Sequence, residues 1–235
     1  MAGLWSNELR FYLGAYDLSG MSVRASIELA APVLDRTSFV DAAEFGTADI
    51  RRDAIEWAGW FDDQAEGIDA LIGTLIGTRG DVLSFFLGTG TGDRAYSGTL
   101  FVAAVKPSGN VGELVRVEGN YKPDQSFDVC KHFGPKTTIT TSGTTHGSVD
   151  DSAASTGTHQ MYSNLTIYTT GTVRLDLQDS ADGTAFTSLV TANYTAIGSK
   201  KSEFTGTLRR YVRVVSSFLA GSGSGTAIYV MTYKR

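Results

Sequence analysis

The stretch "MSVRASIEL", residues 21–29, alternates without a break. Met21, Val23, Ala25, Ile27 and Leu29 fall on one side, and Ser22, Arg24, Ser26 and Glu28 on the other. A period of two is that of a β-strand with one buried and one wet face. The preceding "GAYDLSG", residues 14–20, carries the Asp and Gly expected of a tight turn.

Working outward, Pro32–Arg52 shows no clean period, yet it holds Phe39 and Phe45, which a purely solvated loop does not need. Then comes "DIRRDAIEWAGWFDD", residues 49–63. Ala54–Phe61 reads as a second strand, with Ile55, Trp57 and Phe61 on one face and Ala54, Glu56 and Trp60 on the other. Asp63 and Glu66 have capping-box spacing, and Ile68, Leu71, Ile72, Leu75 and Ile76 form one apolar stripe, so a helix is expected there, packed on the strand before it. Three further strand-like runs follow, "VLSFFLG", "AYSGTLFVAAVKP" and "GELVRVEGNYK".

Past Phe127 the texture turns to Thr, Ser and Gly. The expected organisation is a first domain over 1–126, a linker over 127–137 and a second domain over 138–235. Strand candidates in the last are Met161–Tyr168, Thr172–Gln178, Phe186–Val190, Glu203–Thr207, Tyr211–Ser216 and Thr226–Tyr233, a spacing that reads as an all-β sandwich.

The chain of 235 residues carries a net charge of −5. Residues 1–126 hold 10 Lys/Arg against 18 Asp/Glu (−8), and residues 127–235 hold 10 against 7 (+3). An acidic front half argues against ordinary nucleic-acid binding. Cys130 is the only cysteine, so no intrachain disulfide forms. "MAGLWSNELRF" lacks an apolar core of signal-peptide length, and no apolar run is long enough to span a bilayer. Folding in a reducing cytoplasm, with no membrane partner, is the expectation.

Few residue patterns in the chain carry chemistry. "GTGTGDR", residues 88–94, lies between two strands, whereas a phosphate loop must open a helix. "DSADG", residues 179–183, lacks the ligand run and distal Glu of a calcium loop. Cys130, His132, His146 and His159 have neither zinc-pair spacing nor a visible orienting group for a nucleophile. The chain is therefore read as no enzyme, with no catalytic residue, metal or cofactor.

The ordered set "LGAYDLSG", an alternating strand, "FG" at Phe45-Gly46, "RRDAIEWAGWFDD" and "IDALIGTLIG" resembles the major tail tube subunits of long, flexible-tailed bacteriophages. The Asp-Leu-Ser turn after the first strand is part of that likeness. Toward the end, "LDLQDSADGTAFTSL", "RYVRV" and a final strand resemble the last domain of many such proteins, leaving out 131–160. Glu56 and Trp57 depart from it, since the family more often has small or hydroxylated residues there.

The resemblance implies a mainly β fold: an N-terminal β-sandwich or barrel flanked by one α-helix, then an all-β sandwich. It implies a virion structural protein of the phage tail, made in the host bacterial cytoplasm. Its hexameric rings would stack around a channel that holds the tape-measure protein and then passes DNA without specific binding. Ser22, Arg24, Ser26 and Glu28 would face that channel, and an acidic wall would let DNA slide. Arg36, Phe39, Phe45, Arg51 and Arg52 would reach a neighbouring subunit or ring. Tyr162, Tyr168 and Tyr194 would offer surface contacts to a glycan. The alternatives are a tail-completion or head decoration protein, or a carbohydrate-binding β-sandwich module.

Overall fold

The computed structural model describes residues 8–31, 33–35, 46–48, 52–60, 76–77, 79–110, 113–140, 144–219 and 226–235. The strands of the first half are β1 (Leu9–Leu13), β2 (Tyr16–Asp17), β3 (Ser22–Ala30), β4 (Val33–Asp35), β5 (Gly46–Ala48), β6 (Arg52–Trp60), β7 (Arg79–Leu87), β8 (Arg94–Ser108) and β9 (Arg116–Pro123). They are followed by β10 (Asp128–His132), β11 (Thr137–Ile139), β12 (Thr144–Asp150), β13 (Ser155–Tyr168), β14 (Val173–Ser180), β15 (Thr187–Tyr194), β16 (Gly198–Leu208), β17 (Tyr211–Phe218) and β18 (Ala227–Lys234). The fold is mainly β. The expected helix over 63–75 lies outside the described residues, as does Phe61. Ile76, the last residue of its apolar stripe, makes an isolated bridge to Val102 and is 48% exposed.

The 15-residue β8 organises the molecule. One edge pairs with β7 over Ala95–Phe101. The other pairs first with β10 over Arg94–Ser97 and then with β9 over Leu100–Ser108. From β9 the sheet continues to β6 and β3, from β7 to β1 and β2, and from β10 to β18, β13 and β16. The result is a 12-stranded open sheet whose first half curls around one core: Phe11, Leu13, Ile55, Trp57, Leu100 and Tyr121 are among the side chains it buries. Trp57 fits only because Gly59 lies beneath it: a Cβ on Gly59 would sit 2.3 Å from the indole ring.

The second half is a sandwich, as its spacing predicts. The β16-β13-β18 end of the large sheet faces a four-stranded sheet ordered β12-β17-β14-β15. Met161, Leu165, Leu175, Val214, Tyr229 and Met231 are central to the core between them.

Residues 127–137, expected as a linker, contain a strand bonded on both sides, because β10 pairs with β8 and with β18. A third buried cluster of Tyr12, Phe86, Cys130, Tyr162 and Val230, among others, draws on both halves. Asn164 adds a buried polar tie, donating to Gly14 O (2.9 Å) and Val82 O (2.8 Å) and accepting from Ser84 Oγ (3.0 Å). The turn-rich stretch after Phe127 thus holds a strand shared by both halves.

The aperiodic segment 32–52 contains two short strands that its sequence does not announce. Val33, Leu34 and Asp35 pair with Ala48, Thr47 and Gly46 in a two-stranded sheet.

Candidate assembly surface

The alternation that opens the sequence reading is realised in β3, with one correction. Ser22 pairs with Gly59 but Arg24 pairs with Ala58, so a bulge intervenes at Val23. A bulge reverses which side chains face the core. Ser22 is therefore inside: its Oγ accepts from Trp57 Nε1 at 2.6 Å and donates to Leu18 O at 2.6 Å. Arg24, Ser26 and Glu28 remain on the wet face and are exposed.

Registers across β3, β6, β9 and β8 set out that outer face in rows. Ser26, Glu56, Asn120 and Ala104 make one row, and Arg24, Ala58, Glu118 and Lys106 the next. Trp60, Arg116 and Ser108 form a third. Arg24 Nη2 lies 3.2 Å from Glu56 Oε2, and the Arg116 guanidinium sits 5.5 Å from the Trp60 ring centre. The short side chains of Ala58 and Ala104 leave a hollow of about 280 Å³ ringed by Arg24, Glu56, Lys106 and Glu118. Asn120 also lines it, and its Oδ1 has no hydrogen-bond partner among the described residues.

This face is not acidic, contrary to what the −8 of the first half suggests. Several acids of that half are engaged elsewhere. Asp53 is buried and accepts Phe127 N–H at 2.8 Å, Asp17 pairs with Lys136 at 2.5 Å, and Asp93 accepts Gly90 N–H at 2.8 Å inside its own turn.

Strand β3 pairs with β6 on one edge, and among the described residues no strand pairs with its other edge. Its inward side chains Ala25 and Ile27 are only half-buried, while Leu29 is 39% exposed and Val23, at the bulge, 46%. Between this edge and β1 runs a cleft of about 300 Å³, lined by Leu9, Phe11, Phe85, Val23 and Ala25 with Ser19 and Ser22 at one side. An edge strand with apolar side chains and open backbone groups is a template for another strand.

The remaining candidates separate cleanly. Arg36, Phe39, Phe45 and Arg51 lie outside the described residues, and Arg52 begins β6. Tyr162 and Tyr194 are core residues rather than surface rings. The Tyr162 hydroxyl donates to Asp128 Oδ2 at 2.5 Å, and burial followed by that carboxylate pushes its phenol up. The Tyr194 hydroxyl meets Ser163 Oγ at 2.7 Å, and the Tyr168 hydroxyl is spent on Gly171 O. Tyr162 misled because β13 runs between β16 and β18 with both faces covered.

Cys130 is buried, and desolvation raises its thiol, which makes it a poor nucleophile. "GTGTGDR" is a β7–β8 hairpin whose Gly90 N–H is taken by Asp93. In "DSADG", Asp182 accepts from Thr184 N, Ala185 N and Ser180 Oγ, while Asp179 is bound by Arg209. No group of metal-ligating side chains occurs among the described residues.

No protein-family model and no curated protein matches the chain. Solved structures do. The tail of an empty GTA particle, refined with C6 helical symmetry, matches over 55% of this chain and 98% of its own at 16% identity and a TM-score of 0.41. The virion of a native gene transfer agent particle matches over 54% and 98% at 13% identity and 0.43. SPP1 Dit (gp 19.1), described as a paradigm of hub adsorption apparatus in phages infecting Gram-positive bacteria, matches over 97% and 99% at 13% identity and 0.35.

Reasoning on sequence alone missed β9's share of the outer face. The signal was there: in Arg116–Pro123, Arg116, Glu118, Asn120 and Lys122 alternate with Val117 and Tyr121, which are buried.

Proposed function

We propose that this chain is a structural subunit of a phage tail, of the tail tube kind, whose copies close a ring through the β3 edge. The observation that carries the reading is the half-covered β3, with Val23 and Leu29 exposed along it and a cleft beside it. A neighbouring copy supplying a strand there satisfies backbone groups and buries those side chains, and ring closure leaves no edge over. The sequence resemblance supplies the rest of the proposal: six copies per ring, stacked rings, the outer face of β3, β6, β9 and β8 toward a channel, and a tape-measure protein inside before DNA passes. The segment with Arg36, Phe39, Phe45, Arg51 and Arg52 then reaches the adjoining ring, and residues 138–235 stand outside as a decoration domain.

The test is assembly. Concentrated protein should give rings or tubes by negative-stain electron microscopy. Val23→Lys with Leu29→Lys should leave a folded monomer, since both positions are exposed and charges on an edge strand block strand addition. Wild-type protein that stays monomeric at high concentration, or a double variant that assembles normally, overturns the reading. Phe45→Ala should keep rings but prevent their stacking.

A further inference from the structure

We infer that Glu56 and Glu118 keep the outer face of β3, β6, β9 and β8 from binding nucleic-acid phosphates. The inference deepens the channel reading above and takes from it only that this face meets a polyanion.

The cations are already in place. Arg24, Lys106 and Arg116 stand exposed on three different strands, and Lys122 follows Asn120 by one further step along β9. Neighbouring strands are about 4.8 Å apart and like-facing residues about 7 Å apart along a strand, so these side chains can reach successive phosphates of one nucleic-acid strand. Ala58 and Ala104 keep the middle of the face low, which lets a backbone approach.

The acids are interleaved with the cations rather than set apart from them. Glu56 holds Arg24 at 3.2 Å. Glu118 lies directly opposite Lys106 on the neighbouring strand and two residues from Arg116 on its own. Arg24, Lys106 and Arg116 thus each have a carboxylate nearby that competes with a phosphate and repels it. A wall of uniform negative charge would push DNA away, and a bare cationic wall would hold it. Opposite charges alternating at one-strand spacing cancel within a Debye length and do neither.

Two glutamines remove the compensation without changing side-chain size. Wild-type protein should show no measurable binding to a short fluorescent DNA duplex by anisotropy at about 150 mM salt. Glu56→Gln with Glu118→Gln should bind at least about tenfold more tightly than wild type. Its affinity should fall steeply between about 50 and 200 mM salt, as four phosphate contacts require. Adding Arg24→Gln and Lys106→Gln should return the affinity to the wild-type level. Binding by the double variant within threefold of wild type overturns the inference, and so does a quadruple variant that binds as tightly as the double. If the double variant does not fold, Glu118→Gln alone carries the test, because its side chain is exposed; an unchanged affinity then counts as failure. Light scattering on the same samples reads assembly separately, so gained DNA binding without rings counts against the tube reading alone.

Discussion

The imidazole of His132 lies on the ring of Phe86 with centroids 4.2 Å apart and planes 8° from parallel. Its Nδ1 accepts the Gly134 N–H at 3.1 Å, and its Nε2 is buried with no hydrogen-bond partner among the described residues. A ring so placed is neutral. Burial lowers its pKa from 6.5 to about 4, against a smaller upward pull from Asp93. The unfolded chain then takes up a proton below about pH 6.5 that the folded chain refuses until about pH 4. Stability is complete above pH 6.5 and falls as the pH drops through that window, by about 3 kcal/mol in all. His146, also lowered by burial, acts in the same direction. Denaturant titrations at pH 7 and pH 4.5 should show the loss. His132→Phe should shrink it while costing about 1 kcal/mol at pH 7, because Gly134 N–H loses its acceptor. An undiminished pH dependence in that variant would show that other groups carry it.

Asn164 joins three segments that are far apart in sequence, and every polar atom of its amide is used. Asn164→Leu leaves Gly14 O, Val82 O and Ser84 Oγ in a buried site without their partner. The expected cost is about 2–4 kcal/mol. Because β10 and the shared buried cluster tie both halves to one sheet, thermal unfolding of the wild type should give a single transition. Residues 138–235 expressed alone should be less stable than 127–235, which keeps β10 on β18. Equal melting temperatures for the two fragments would support the linker assignment.

How much of this was legible beforehand varies with the physical cause. Period-two patterns gave β3 and β6 nearly to their ends, because each has one wet face and one packed on the core. The bulge at Val23 was not legible: it is a property of the pairing with Gly59 and Ala58, and the sequence of β3 alone runs through it unbroken. β11, β12 and the first turns of β13 were hidden in a Thr/Ser/Gly-rich stretch, where hydroxyl pairs such as Thr158 with Thr205 replace an apolar pattern. The open edge of β3 was equally invisible, since an unpaired strand reads the same as a paired one.

Ser22 and Arg24 should behave differently even though both were expected on one face. Ser22→Ala removes the acceptor of Trp57 Nε1 and should cost about 1–3 kcal/mol with assembly otherwise unchanged. Arg24→Ala leaves Glu56 exposed to water and should cost under about 1 kcal/mol. Gly59→Ala should be the most damaging of the three, because the new methyl meets the Trp57 ring and lies 2.7 Å from Met21 O. Chemical denaturation ranks them, and a Ser22→Ala protein as stable as wild type would place Trp57 in some other environment.

Asp179 is 0% exposed, and its carboxylate accepts three hydrogen bonds from Arg209. Its Oδ1 accepts from Arg209 Nε (2.9 Å) and Nη2 (2.6 Å), and its Oδ2 accepts the Arg209 backbone N–H at 2.7 Å. The pair closes β16 onto the end of β14 just before β17 begins. Arg209→Met strands a buried carboxylate that retains only the backbone donor, and it should cost about 3–5 kcal/mol. Asp179→Asn keeps the shape and one acceptor, so its cost should be smaller. Combining Arg209→Met with Asp179→Leu removes the stranded charge and should recover part of the first loss. A double-mutant cycle from urea midpoints measures the coupling. If the two single changes add without coupling, the guanidinium contributes through its packing on the surface and the ion pair does not hold this corner of the sandwich.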